Sequence, residues 1–172
     1  MKFATTLIAV QDMDRTLKFY KDIFNQDVVL DLGWNKVLTC GLAVQSNFDK
    51  LVGFENSTMK FKSHNMELYF ETEDFDMFVE LLKKHPEVEL VHEAKTFPWQ
   101  QRGIRIYDPD FHIIEISETM EAVGFRLFSE GKSVEEVMKI TDHPAELVNG
   151  WYAHYLEEKE KIQGKYGNNF CM

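Results

Sequence analysis

One order of elements, a strand, a helix and three strands, occurs twice in this chain and constrains the fold more than any other feature. The first copy consists of a strand over residues 2–10, a helix that begins at Asp12, and short strands over 28–32, 36–40 and 42–45. A shift of 62 residues places Asp12 on Asp74 and Leu17 on Val79. We therefore predict two similar βαβββ modules that face each other.

The second copy begins at Met66 and repeats the pattern. It consists of a strand over 66–72, a helix capped by Asp74 and ended by Pro86, and strands over 88–93, 103–107 and 112–117. Residues 47–64 connect the two copies and are too apolar for a free linker, so we predict a flap that packs over the sheet.

The last two strands of the second copy form the most informative segment. Between residues 103 and 107 the chain alternates, which places Arg105 and Tyr107 on one face and aliphatic residues on the other. The sequence Asp-Pro-Asp at 108–110 then predicts a turn, and Glu115 lies in the strand that follows. A hairpin with Arg, Tyr and Glu among aliphatic residues has either a solvated face or a polar cavity.

After Glu118 the alternation ends and helical periodicity begins, so we predict a C-terminal extension of three helices over residues 119–172. Ser133 and Glu136 have the spacing of a capping box at the start of the second of these helices. The apolar faces of the extension need a partner, which is either the outside of the sheet or a second subunit.

Composition excludes several classes of function. The formal net charge of -10, without a cluster of basic residues, argues against nucleic-acid binding. No apolar run approaches the roughly 20 residues that a membrane-spanning helix needs, and the N-terminus lacks the pattern of a signal peptide. Cys40 and Cys171 are too few for a disulfide framework. We expect a cytoplasmic protein that binds neither nucleic acid nor membrane.

The doubled βαβββ order resembles the vicinal oxygen chelate superfamily, which includes glyoxalase I, bleomycin-resistance proteins and extradiol dioxygenases. The resemblance rests on TTLIAVQDMDRTLKFYKDIF, ELYFETEDFDMFVELL and PWQQRGIRIYDPDFHIIEIS and covers about residues 1–118. It implies an α+β fold in which modules over about 1–46 and 65–118, linked by 47–64, form a curved mixed-sheet cup. The usual Gly-Asn of the family after Asp-Pro-Asp is replaced here by Phe111-His112.

The resemblance also implies where a metal would bind. In the family the ligands come from the first and last strands of each module, which correspond here to Thr5, Glu67 and Glu115, with Val44 or Gln45 as the fourth position. The two-His pattern of the dioxygenases is absent. The glyoxalase pattern accepts Glu67 and Glu115, whereas Thr5 is a poor ligand. We expect either no cofactor or a weakly bound divalent metal ion.

Other interpretations of the same residues remain open. Glu67 and Glu115 could be solvated at the mouth of the cup, could share a proton, or could pair with Arg105 and contact a polar or ionic small molecule. The aromatic candidates for the pocket wall are Tyr69, Tyr107 and Trp99.

These observations favour a small-molecule-binding protein of the glyoxalase and bleomycin-resistance type with a degenerate metal site. One alternative is a divalent-metal-dependent lyase or isomerase in which Glu67 or Glu115 moves a proton. A second alternative is a non-catalytic scaffold whose helical tail binds a partner. The expected partners are a small-molecule ligand and, if the cups are completed across a subunit interface, a second copy of the chain.

Overall fold

The structure is a computed structural model that describes residues 1–54 and 60–167, with side chains up to Ile162. Residues 55–59 of the predicted flap and the last residues of the predicted extension, including Cys171, lie outside the described residues.

The first module of the repeat contains a four-stranded mixed sheet. Its elements are β1 (Leu7–Ala9), α1 (Met13–Phe24), β2 (Val28–Asp31), β3 (Asn35–Leu38), β4 (Ala43–Gln45) and a short α2 (Phe48–Val52). The strand order is β1-β4-β3-β2, with β1 parallel to β4 and the other pairs antiparallel. Asp12 caps α1, because its side chain accepts a hydrogen bond from the backbone N–H of Arg15.

The second module has the same arrangement. Its elements are β5 (Glu67–Thr72), α3 (Phe75–Leu82), β6 (Leu90–Thr96), β7 (Arg102–Tyr107) and β8 (Ile113–Glu118). The order β5-β8-β7-β6 is that of the first sheet, with each strand replaced by its repeat. The predicted repeat and the α+β fold class are therefore confirmed.

Three helices follow the second sheet, as the periodicity predicts: α4 (Met120–Ser129), α5 (Val134–Thr141) and α6 (Ala145–Gly167). The predicted capping box of Ser133 and Glu136 is present at the start of α5. The three helices pack around a core of Val123, Leu127, Phe128, Val137 and Val148. None of the helices in the described part of the chain is long and apolar enough to cross a membrane.

Two local predictions differ from the structure. The strand predicted over residues 2–10 is formed only by Leu7–Ala9, because the parallel partner β4 offers only three residues, and Phe3 is exposed. Thr5 therefore lies before β1 rather than in it. The connection after β4 also contains α2, a helix that the sequence analysis does not predict.

The chain forms two compact units. The first comprises Met1–Tyr69, Met77–Glu93 and Arg105–Glu115, and the second comprises Phe70–Asp76, Ala94–Ile104 and Ile116–Met172. The predicted division into residues 1–118 and 119–172 stays a prediction.

In the first unit the turn after β7 is held by Asp110. This fully buried carboxylate accepts hydrogen bonds from the backbone N–H and the side chain of Gln11, from Arg15 and from Thr16. Because Arg15 and Thr16 belong to α1, the start of this helix is tied to the turn. Such pairing is required, since an unpaired buried carboxylate is strongly destabilising.

Asp108 stabilises the same turn through hydrogen bonds within the turn itself. One oxygen accepts the backbone N–H groups of Asp110 and His112, and the other lies 2.8 Å from Nδ1 of His112 and 3.3 Å from the hydroxyl of Tyr20. Burial lowers the pKa of His112, but the hydrogen bond and negative charge of Asp108 outweigh it, so this pKa is raised above its ordinary value. Burial and the charge of Asp108 raise the pKa of Tyr20 as well.

In the second unit the buried carboxylate is Glu118. Arg102 donates Nε to it at 2.9 Å and Nη2 at 2.7 Å, and Arg126 of α4 donates Nη2 at 3.3 Å. Gln101 donates its side-chain amide to the carbonyl of Glu118 at 2.7 Å. These bonds fasten the end of β8 to β7 and to α4 inside this unit.

We predict that Gly103→Ala destabilises the protein. A methyl group at residue 103 would lie 2.5 Å from Oγ of Ser117 and 2.9 Å from a ring carbon of Phe97, so side chains must move, at a cost of about 1–3 kcal/mol. Gly150→Ala is the matched control, because nothing lies within 4 Å of its new methyl group and alanine favours the helix by up to about 1 kcal/mol. Urea denaturation of both variants measures the difference, and equal effects would contradict the packing described for β7.

We also predict a pH dependence of stability that comes from His112. Because the pKa of His112 is higher in the folded state, protonation of this residue stabilises the fold. This contribution to the free energy of unfolding is fully present below the unfolded-state pKa of about 6.5 and is lost as the pH rises through the folded-state pKa. Urea denaturation across this range should show the free energy of unfolding decreasing with pH, and His112→Asn should flatten this decrease. An unchanged slope in the variant would show that His112 is not the group responsible.

Candidate functional site

A row of four polar side chains crosses the second sheet in the order of its strands. Glu67 of β5, Glu115 of β8, Arg105 of β7 and His92 of β6 follow one another. Arg105 donates Nε to Glu67 at 2.8 Å and Nη2 to its other oxygen at 3.4 Å. The same Nη2 forms an ion pair with Glu115. The structure therefore brings together Glu67, Arg105 and Glu115 in the paired arrangement that was one of the alternatives open from the sequence.

His92 completes the row at its other end. Its Nε2 lies 3.3 Å from Nη1 of Arg105 and its Nδ1 lies 2.7 Å from the carbonyl oxygen of Glu93. A guanidinium only donates and a carbonyl only accepts, so this pattern requires the neutral ring with its proton on Nδ1. No partner of His92 was predicted from the sequence. The signal that could have found it is the repeat, which places β6 beside β7, as β2 lies beside β3.

The ion pair between Arg105 and Glu67 favours the ionised form of both side chains. The hydrogen bond from Arg105 lowers the pKa of Glu67 despite partial burial, and Glu67 in turn raises the pKa of Arg105. The Glu115 side chain is 7% exposed and that of Glu67 is 39% exposed. Glu67 is thus the carboxylate that a molecule from solvent would meet.

The two predicted tyrosines occupy different environments. Tyr69 follows Glu67 on the same face of β5 and is 50% exposed. Tyr107 is buried, and its hydroxyl lies 2.7 Å from Nε2 of His64, with the two rings stacked. Lys62 lies over the Tyr107 ring at 4.9 Å from its centroid. Tyr107 therefore anchors the segment before β5, whereas Tyr69 is accessible.

Trp99 belongs to the second unit, where it stacks on Phe97 with ring centroids 4.8 Å apart and donates Nε1 to Gln101 at 2.9 Å. These contacts give it a structural part in that unit. Its predicted contact with a ligand stays a prediction.

The positions implied for the first module do not supply metal ligands. The Thr5 hydroxyl donates to the backbone carbonyl oxygens of Gly41 and Thr6. Val44 is fully buried. The Gln45 amide accepts from Asn35 at 3.1 Å and donates to the carbonyl of Ser46 at 2.6 Å.

The residues present do not fit a divalent metal centre. Such ions need several imidazole or carboxylate ligands that converge on one point. Here two carboxylates converge on a guanidinium, which already supplies the positive charge between Glu67 and Glu115. Within residues 1–54 and 60–167, no group of three His, Cys, Asp or Glu side chains could hold a metal ion.

Two cavities of the first unit lie elsewhere. One, of about 410 Å³, lies between α1 and the segment that leads into β6, and it is lined in part by Phe19, Ile23, Val88 and Phe111. A second, of about 220 Å³, lies beside β1 and the start of β8. Neither is lined by Glu67, Arg105 or Glu115, so the row is not part of the wall of these two cavities.

Comparison with solved structures supports the fold. A protein of unknown function from Agrobacterium tumefaciens is 30% identical and aligns over 69% of this chain and 94% of that one, with a TM-score of 0.60. A glyoxalase-related enzyme from Fulvimarina pelagi is 18% identical over 69% and 88% of the two chains, with a TM-score of 0.56. A genomically encoded fosfomycin resistance protein from Listeria monocytogenes is 20% identical over 71% and 97%, with a TM-score of 0.54.

Among curated proteins, no sequence matches this chain significantly. The model of the glyoxalase-like domain family, in contrast, matches residues 3–121, which is more than half of the chain. This range begins before β1 and ends just after β8, so it contains both copies of the repeat. The chain therefore belongs to the glyoxalase-like domain family, within the vicinal oxygen chelate superfamily that its repeat resembles.

Proposed function

We propose that this protein binds a small molecule at the row of Glu67, Arg105 and Glu115 and that the row does not hold a metal. The observation that carries the proposal is the position of Arg105, whose guanidinium donates to both carboxylates. The guanidinium of Arg105 thus supplies the positive charge that a metal ion would otherwise supply between these two side chains.

The charge of the row indicates the kind of ligand. Two carboxylates and one guanidinium leave one negative charge in excess, and it is accessible at Glu67. Arg105 is already engaged by the carboxylates, so an anionic ligand would have to compete with them. Tyr69 offers an exposed aromatic ring on the same strand face. We therefore propose a ligand with an ammonium or other donor-rich group beside an apolar or aromatic body.

Binding is favoured over the lyase or isomerase alternative by the effect of Arg105 on the pKa of Glu67. A general acid or base works best with a pKa near the working pH. Arg105 instead lowers the pKa of Glu67, which makes this side chain a weak base and a poor proton donor at neutral pH. A catalytic role for Glu67 or Glu115, a cytoplasmic location and a homodimer remain predictions.

We predict that the protein, purified without chelator, carries less than one divalent ion per chain. Arg105→Met removes the competing cation and leaves Glu67 beside Glu115, so this variant should gain affinity for Zn²⁺, whereas Arg105→Lys should not. Metal analysis after dialysis against Zn²⁺ measures both effects. A stoichiometric ion in the unaltered protein would overturn the proposal and favour the metal-dependent enzyme.

We further predict that benzylamine binds at the row in calorimetric titration and that its neutral analogue benzyl alcohol binds more weakly. Glu67→Gln removes the accessible charge and should weaken benzylamine binding by about tenfold, the usual effect of losing one charge-assisted contact. Glu93→Gln is the control, because Glu93 is exposed and belongs to the opposite face of β6 by strand parity. Equal weakening in both variants would place the amine elsewhere.

A further inference from the structure

The second cavity of the first unit has mostly apolar walls, whereas the row consists of polar side chains. Its volume is about 220 Å³. Most of its lining is apolar and comes from β1, from Phe48 of α2, from the segment before β5 and from the start of β8. The apolar lining residues are Leu7, Ile8, Ala9, Phe48, Phe61, Met66, Phe111 and Ile113. A partly open cavity with mostly apolar walls favours a ligand with a compact hydrophobic body.

The charged lining of this cavity is basic, in a chain whose net charge is -10. Lys60, His64 and His112 all line it, and the acidic residue among the lining residues is Asp110. Asp110 is fully buried and already accepts four hydrogen bonds, from Gln11, Arg15 and Thr16. It therefore has little capacity left for a ligand, and the cavity presents the ammonium group of Lys60 and two imidazole rings.

Both histidines are oriented by one ring nitrogen. Nδ1 of His112 lies 2.8 Å from a carboxylate oxygen of Asp108, so Nε2 is the nitrogen that could contact a ligand. His64 uses Nε2 for the hydroxyl of Tyr107 at 2.7 Å, which leaves Nδ1. A histidine fixed in this way presents its second nitrogen in a defined direction.

The backbone around the cavity is strained. Phe111 has a φ of 64° and His64 has a φ of 54°, a region that residues other than glycine rarely adopt. The strained Phe111 forms an apolar wall of the cavity, and the imidazole of His112 lies next to it in the sequence.

We propose that this cavity is a second binding site, distinct from the row, that takes a small monocarboxylate with a compact apolar body. The apolar walls would enclose the body, while Lys60, His64 and His112 would donate to the carboxylate. The volume is suited to this class, because a cavity of about 150 Å³ accommodates benzene. A nucleotide or a sugar phosphate is too large and too polar for it.

Calorimetric titration of the full chain with benzoate tests the proposal. Saturable binding at one site is expected, and the neutral isostere benzamide should bind at least about tenfold more weakly. Lys60→Met and His112→Asn should each weaken benzoate binding by about tenfold. The matched control is Lys84→Met, which removes an exposed lysine that does not line the cavity.

Phe111→Gly separates binding from folding. It removes both the positive-φ strain and the apolar wall. The variant should therefore fold, as circular dichroism would show, but its affinity for benzoate should be lower than that of the unaltered protein. The proposal is overturned if benzoate, hexanoate and cyclohexanecarboxylate all fail to bind, or if benzamide binds as tightly as benzoate. It is also overturned if Arg105→Met abolishes benzoate binding while Lys60→Met leaves it intact, because the anion then binds at the row.

Discussion

The structure depends on the neutralisation of carboxylates that are buried at one hairpin. The buried acidic residues among those described all lie within residues 108–118: Asp108, Asp110, Glu115 and Glu118. A buried carboxylate must be paired or hydrogen-bonded, so each of the four determines which side chains surround it. Their basic partners are Arg15, His112, Arg105, Arg102 and Arg126. The turn, the sheet and the start of the helical extension are thus each fixed by a charge pair from the same short segment.

The same constraint explains why the row across the second sheet differs from a metal centre. Glu115 is nearly inaccessible to water and needs a permanent positive charge beside it. An arginine on the adjacent strand supplies this charge in every state of the protein, whereas a weakly bound ion would supply it only when present. Because Arg105 also binds Glu67 with two nitrogens, the geometry of both carboxylates is set before any ligand arrives. Preorganisation of this kind reduces the entropic cost of binding.

Much of this could be predicted from the sequence, because it follows from local periodicity. The repeat predicted two βαβββ modules, and the pairing of Glu67 and Glu115 with Arg105 was one of the alternatives left open by the sequence; the roles of the three residues stay predictions. The pairing of His92 was missed because it depends on the neighbouring strand rather than on its own segment. The shortness of β1 was missed because the length of a strand depends on its partner, here the three residues of β4. The positive φ angle of Phe111 was missed because an aromatic residue type does not indicate this backbone conformation.

The hydrogen bond between Tyr107 and His64 gives the basic cavity a physical connection to the polar sheet face. Tyr107 follows Arg105 on one face of β7, while His64 lines the cavity. If the tyrosine hydroxyl donates to Nε2 of His64, the neutral imidazole must carry its proton on Nδ1, and this nitrogen can then donate to an anion. If the hydroxyl instead accepts, a neutral ring has no proton on Nδ1 and presents a lone pair to the anion. A carboxylate in the cavity would therefore favour the first arrangement or the doubly protonated ring. Occupation of the cavity and the direction of the Tyr107 hydroxyl are thus coupled through one imidazole.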